Sequence, residues 1–117
     1  MGNTKYPFGS PDVQAIAGTG TKAVAISDNF TILNLSTITG AITLNLTFDQ
    51  SIQVGARVVI HVVQDGTGQD VVLGTGFAAS AVDLTGVAND EDLLELYYNG
   101  TSMIPFTAAW AKIVDAA

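Results

Sequence analysis

His61 is the only imidazole in the chain, so it is the first residue to weigh as a general base. Acid–base or nucleophilic catalysis needs a partner carboxylate and an activated nucleophile in one cleft. His61 instead sits among Val59, Val62 and Val63, and no serine, threonine or carboxylate stands at a telling spacing from it. The reading that follows is a histidine hydrogen-bonded within a sheet or at a subunit contact. Asp65, Asp70, Asp90, Glu91 and Asp92 carry oxygens of the kind calcium takes, but neither Asp65…Asp70 nor Asn89–Asp92 has the spacing of a calcium loop. They read as solvated turns, and no metal site is expected. Gly18-Thr19-Gly20 and Gly74-Thr75-Gly76 lack the Gly-Lys-Ser/Thr that makes a glycine loop bind phosphate. There is no cysteine, which excludes thiol nucleophiles and cysteine-ligated zinc or iron–sulfur clusters. Tyr97, Tyr98, Phe106 and Trp110 could stack on sugars, but aromatics in a small β domain are usually core. No enzyme and no cofactor are expected.

The elements that hold these residues are strands. Val58-Val59-Ile60 and Val62-Val63 are β-branched, and branching at Cβ suits a pleated surface better than a helix. Asp65-Gly66-Thr67-Gly68 follows, then Val71-Val72-Leu73. A short glycine-containing connection between two apolar runs predicts a β-hairpin over 55–76. Side chains alternate between faces, so Val58, Ile60 and Val62 share one and Arg57, Val59, His61 and Val63 the other. Both carry apolar groups, which predicts cover on both sides: a second sheet on one, another subunit on the other.

Composition points the same way. The chain has 117 residues and a mass of 12.1 kDa, which is one domain. Only 13% of it is charged, against ~25% in ordinary soluble domains, and its mean hydropathy is +0.39. No run approaches the ~18 apolar residues of a membrane helix. Apolar surface in excess of what one body hides is most simply buried against further copies, so a homo-oligomer is expected, with Val59, His61, Val63 and outward-facing Tyr97 at its interface. The net charge of −7 repels phosphate backbones and anionic membrane surfaces, so neither nucleic acid nor membrane is an expected partner. No secretory signal opens the chain, and the Asn-x-Ser/Thr sequons at Asn29, Asn34, Asn45 and Asn99 read as by-products of Asn/Thr-rich strands.

Residues 1–20, with Pro7, Gly9, Pro11, Gly18 and Gly20 and no sustained period, read as an N-terminal arm whose Tyr6, Phe8, Val13 and Ile16 could anchor to a neighbour. The β domain then runs over 21–117. Strands are predicted at Lys22–Ile26, Phe30–Leu35, Gly40–Phe48, Ala81–Leu84, Asp92–Tyr98 and Thr101–Phe106 besides those of the hairpin. The clearest pattern is Ile42, Leu44, Leu46 and Phe48 alternating with Thr43, Asn45 and Thr47, a strand buried on one side. Leu94, Leu96 and Tyr98 face inward by the same rule, Glu95 and Tyr97 outward. Asn99-Gly100 predicts a second hairpin, through a type I′ turn. The tail Ala108–Ala117 fits a helix or a last strand equally. Seven to nine short strands with regularly spaced turns predict an all-β fold, an antiparallel β-sandwich or barrel-like domain.

Three stretches, Gly55-Ala56-Arg57-Val58-Val59-Ile60, Gln64-Asp65-Gly66-Thr67-Gly68 and Leu93–Thr101, together resemble a small β domain of tailed-bacteriophage virion proteins: head fibres, capsid decoration proteins and tail fibre segments. The resemblance covers Phe30–Phe106. It implies a homotrimer located on the virion, at the capsid surface. Joined to the arm, it implies a non-enzymatic head fibre or decoration protein that contacts the phage capsid protein through Tyr6, Phe8, Val13 and Ile16. The alternative it leaves open is a receptor-binding fibre tip, with the loops at 65–69 or 86–92 touching a host glycan.

Overall fold

A computed structural model describes residues 10–116. Among them there is no helix, and nine strands form two open sheets, the larger mixed and the smaller parallel. In chain order the strands are β1 Asp12–Ala15, β2 Gly20–Ile26, β3 Phe30–Ile38, β4 Ile42–Phe48, β5 Arg57–Gln64, β6 Val71–Leu73, β7 Glu91–Tyr98, β8 Met103–Pro105 and β9 Ala111–Val114.

The chain steps from one sheet to the other at every turn until β7. Strands β1, β3 and β5 therefore lie side by side and parallel in the larger sheet, while β2, β4 and β6 do the same in the smaller one. Strand β7 reverses the direction. It pairs antiparallel with β5 and carries β8 on its C-terminal half and β9 on its N-terminal half.

This corrects the antiparallel, hairpin-centred expectation. Strands β5 and β6 belong to different sheets, so the Asp65-Gly66-Thr67-Gly68 turn is a corner between sheets and not the tip of a hairpin. Gln64, only 4% exposed, pins that corner. Its Nε2 donates to Gln69 O at 2.8 Å and its Oε1 accepts from Gln69 N at 2.6 Å, so a buried amide satisfies itself while turning the backbone. A hairpin and a sheet-to-sheet corner need the same turn residues, which is why the two look alike in sequence.

The Asn99-Gly100 hairpin is present, with Tyr98 opposite Met103, but not as a type I′ turn. Gly100 has φ 103° and Asn99 has negative φ. Asn99 acts through its side chain, with Oδ1 accepting from the N–H groups of Thr101 and Ser102 at 2.9 and 2.8 Å, an Asx-type closure. The tail resolves as a strand, β9. The Ala81–Leu84 strand reduces to one bridge, Leu84 to Val71.

Alternation in β3, β4, β5 and β7 sends one side of each strand into a shared core. Leu33, Leu35, Val58, Ile60, Val62, Leu94 and Leu96 from the larger sheet meet Val24, Ile26, Ile42, Leu44, Leu46 and Val71 from the smaller in one cluster. Burying a side chain of this kind contributes roughly 1.5–3 kcal/mol. The interior is therefore sufficient to hold both sheets on one side, and it leaves the opposite side of the larger sheet without cover from the described chain.

Part of the expected arm is also strand. Asp12–Ala15 pairs in register with Thr31–Asn34, and Ile16 N donates to Asn34 O at 2.9 Å. Tyr6 and Phe8 lie outside the described residues.

Candidate assembly face

The uncovered side of the larger sheet is built by strand register. In-register neighbours point the same way, so four rows of side chains cross it. Phe30, Arg57, Tyr97 and Ile104 form the first, Val13, Ile32, Val59 and Glu95 the second. Ala15, Asn34, His61, Leu93 and Ala111 form the third, Val63, Glu91 and Val114 the fourth. With strands ~4.8 Å apart and ~3.3 Å per residue, the strands of the larger sheet make a face of roughly 600 Å². That footprint, in which Arg57, Glu95, His61 and Glu91 interrupt the apolar side chains, is not far below the ~800 Å² that each partner buries in a stable complex.

The polar groups on this face are already matched to one another. Arg57 Nε lies 3.1 Å from Glu95 Oε2, and His61 Nε2 lies 2.9 Å from Glu91 Oε1. Arg57 also reaches over the Phe106 ring, 5.8 Å from its centroid, and Phe106 leans on Tyr97 with ring centroids 5.3 Å apart. Exposed pairs like Arg57–Glu95 add only about 0–1 kcal/mol to stability. Their consequence is electrostatic: Arg57 and Glu95 neutralise each other, and Glu91 keeps a hydrogen-bond partner in His61, when another surface approaches.

All four residues expected at an interface, Val59, His61, Val63 and Tyr97, stand on this face. Of the anchors placed in the arm, Val13 is on it too, 59% exposed, whereas Ile16 packs against the core. Sequence reading missed Ile32 and Leu93, which complete the apolar rows. Leu93 falls at the outward phase of the Leu94, Leu96 alternation, and that phase is the signal that marks it.

His61 is hydrogen-bonded to Glu91, and among the described residues no serine or threonine hydroxyl is hydrogen-bonded to it. At the Asp65 corner, Oδ1 accepts from Thr67 N (3.0 Å), Thr67 Oγ1 (2.9 Å), Gly68 N (3.0 Å) and Gln69 Nε2 (3.5 Å). These donors, Thr67 N–H first among them, lower the Asp65 carboxyl to about 2. A carboxylate so surrounded by donors closes a turn. Among the described residues, no group of three or more His, Cys, Asp or Glu side chains could hold a metal ion. An open cleft of about 490 Å³ at the end of the face is lined by Asn29, Phe30, Gly55 and Arg57.

A second polar cluster was not anticipated. Asp90 and Asp92, both fully buried, flank Lys112 of β9, whose Nζ lies 2.7 Å from Asp90 Oδ2 and 3.4 Å from Asp92 Oδ1. The inward phase of Asp92, two residues before Leu94, is visible in the sequence; its partner twenty residues on is not. No family model, curated protein or solved structure matches the chain.

Proposed function

We propose that this chain is a non-enzymatic structural protein of a tailed-bacteriophage virion, a sandwich-like β module that assembles into a homotrimer through the uncovered face of its larger sheet. The observation that carries this is the face itself: Ile32, Val59, Val63, Leu93 and Tyr97, with the neighbouring polar groups paired among themselves. The likeness of Gly55–Ile60, Gln64–Gly68 and Leu93–Thr101 to head fibre and capsid decoration domains supplies the setting. Residues before β1 make the contact with the capsid protein, and the product stands on the capsid surface.

Two measurements test this. Sedimentation equilibrium should return three times 12.1 kDa; a single-chain mass at high concentration overturns the assembly. Deleting residues 2–11, which spares β1 and so leaves the sheet edge intact, should give a trimer that no longer binds particles.

A second reading, a receptor-binding module, is favoured by the cleft at Asn29, Phe30, Gly55 and Arg57, which sets an amide and a guanidinium beside an aromatic ring. Binding on a glycan array that Arg57→Ala abolishes would select it.

A further inference from the structure

Strand β9 contributes no residue to the buried core. All four of its residues are exposed, and its pairing with β7 slips between Glu91 and Asp92. Besides its backbone pairing with β7, it is held by Lys112, laid between two buried carboxyl groups. From this geometry we infer that Lys112 and Asp90 condense to an intramolecular amide, which ties the last strand covalently to the start of β7.

Four groups are in place. Lys112 Nζ, the nucleophile, is hydrogen-bonded to Asp90 Oδ2 at 2.7 Å, which holds it beside the carboxyl carbon it attacks, and holding reactants together in this way raises their effective molarity. Asp90 Oδ1 accepts the N–H of Ala116 at 2.8 Å, so a donor already faces the oxygen on which negative charge develops during attack at Cγ. Asp92 Oδ1 is 3.4 Å from the same nitrogen, and its Oδ2 has no hydrogen-bond partner. A buried acceptor without a partner is costly in a purely structural ion pair, and it gives a proton somewhere to go. Burial raises the Asp92 carboxyl above its ordinary value, which suits it to hold that proton.

The resting pair is ionised. The hydrogen bond from Lys112 and then the Ala116 N–H hold Asp90 low, and Asp90 in turn holds the Lys112 ammonium high. Reaction therefore begins with a proton passing from the ammonium to the carboxylates. Nζ then adds to Cγ of Asp90, Oδ1 carries the charge against Ala116 N–H, and the Cγ–Oδ2 bond breaks. Oδ2 leaves as water with two of the three ammonium protons, relayed by Asp92, which ends in its starting state. Nζ keeps one hydrogen as the amide N–H. Nothing is oxidised or reduced, and the charges of the ion pair cancel. The 40% exposure of the Lys112 side chain gives the water a way out.

The test is the intact mass of the full chain in denaturant after the folded protein has stood at pH 4 to 8. The expected mass is about 18 Da below that of the sequence, one water. Trypsin should fail to cut after Lys112 and release residues 58–117 as one dehydrated peptide. Lys112→Arg, which keeps the ion pair, should restore the full mass, and Asp92→Asn should slow the loss. A wild-type chain at full mass, cut normally after Lys112, overturns the inference. So does an 18 Da loss that persists in Lys112→Arg or maps to Asp65-Gly66, where dehydration to a succinimide has the same mass.

Discussion

His61 on β5 and Glu91 on β7 hold each other across the uncovered sheet face, Nε2 to Oε1 at 2.9 Å. The pairing leaves apolar Val59, Val63 and Leu93 around it as the part of the face with no partner of its own. A carboxylate at Val59 would stand opposite Glu95, with its basic neighbours Arg57 and His61 already engaged by Glu95 and Glu91, so an assembled interface buries it without a partner while the single chain leaves it in water. Val59→Asp should therefore lower the sedimentation mass to 12.1 kDa, while the single chain melts within the ~0.5 kcal/mol typical of surface changes. A trimer that survives this substitution assembles by another surface.

Asp65 gives a pH dependence with a definite sign. Its folded value, about 2, lies below the reference of 3.8 because Thr67, Gly68 and Gln69 donate to the ionised form. A depressed carboxyl stabilises the fold fully above the unfolded value, and that contribution drains away as pH falls through about 2. Asp65→Ala should thus melt below wild type at pH 7, with the gap closing between pH 4 and 2. A gap that stays constant with pH would show the side chain acts by packing alone.

Two nearby glycines should respond oppositely. A Cβ at Gly86 would run into the backbone N and O of Gln69, whereas one at Gly66 meets nothing within 4 Å. Gly86→Ala is expected to cost about 1–3 kcal/mol, as forced overpacking does. Gly66→Ala, at a residue whose φ is not positive, should be neutral or stabilise by about 0.4–1 kcal/mol through the unfolded chain. Urea midpoints of the two variants check both.

Thr31 is buried on β3 at 0% exposure, and its hydroxyl has no hydrogen-bond partner. Removing a buried, unsatisfied polar group recovers part of a desolvation penalty of about 1–3 kcal/mol. Thr31→Val, nearly the same shape, should raise stability by about 1 kcal/mol in the same denaturation experiment. A loss instead would mean that the hydroxyl is solvated in solution.

What could be read along the chain was periodicity and turn chemistry. Ile42, Leu44 and Leu46 go inward as their alternation requires, Val58, Ile60 and Val62 likewise, and Asn99-Gly100 closes a hairpin. The phase of β5 also put Val59, His61 and Val63 together on the face opposite the core. These depend on neighbours one to four residues apart, where backbone geometry leaves few choices.

Only the tertiary structure decided which strand lies beside which. Ile32 pairs with Val59, and β5 passes over β6 to pair with β7; no local rule distinguishes a corner that leads into another sheet from a turn that folds back. Trp110, Ile113 and Val114 suited a helix as well as a strand until Glu91–Leu93 offered an edge to pair with. The Asp90–Asp92–Lys112 cluster arises the same way. Side-chain alternation is imposed residue by residue, but strand partnership and buried charge pairing come from whichever distant segments the shared core brings together.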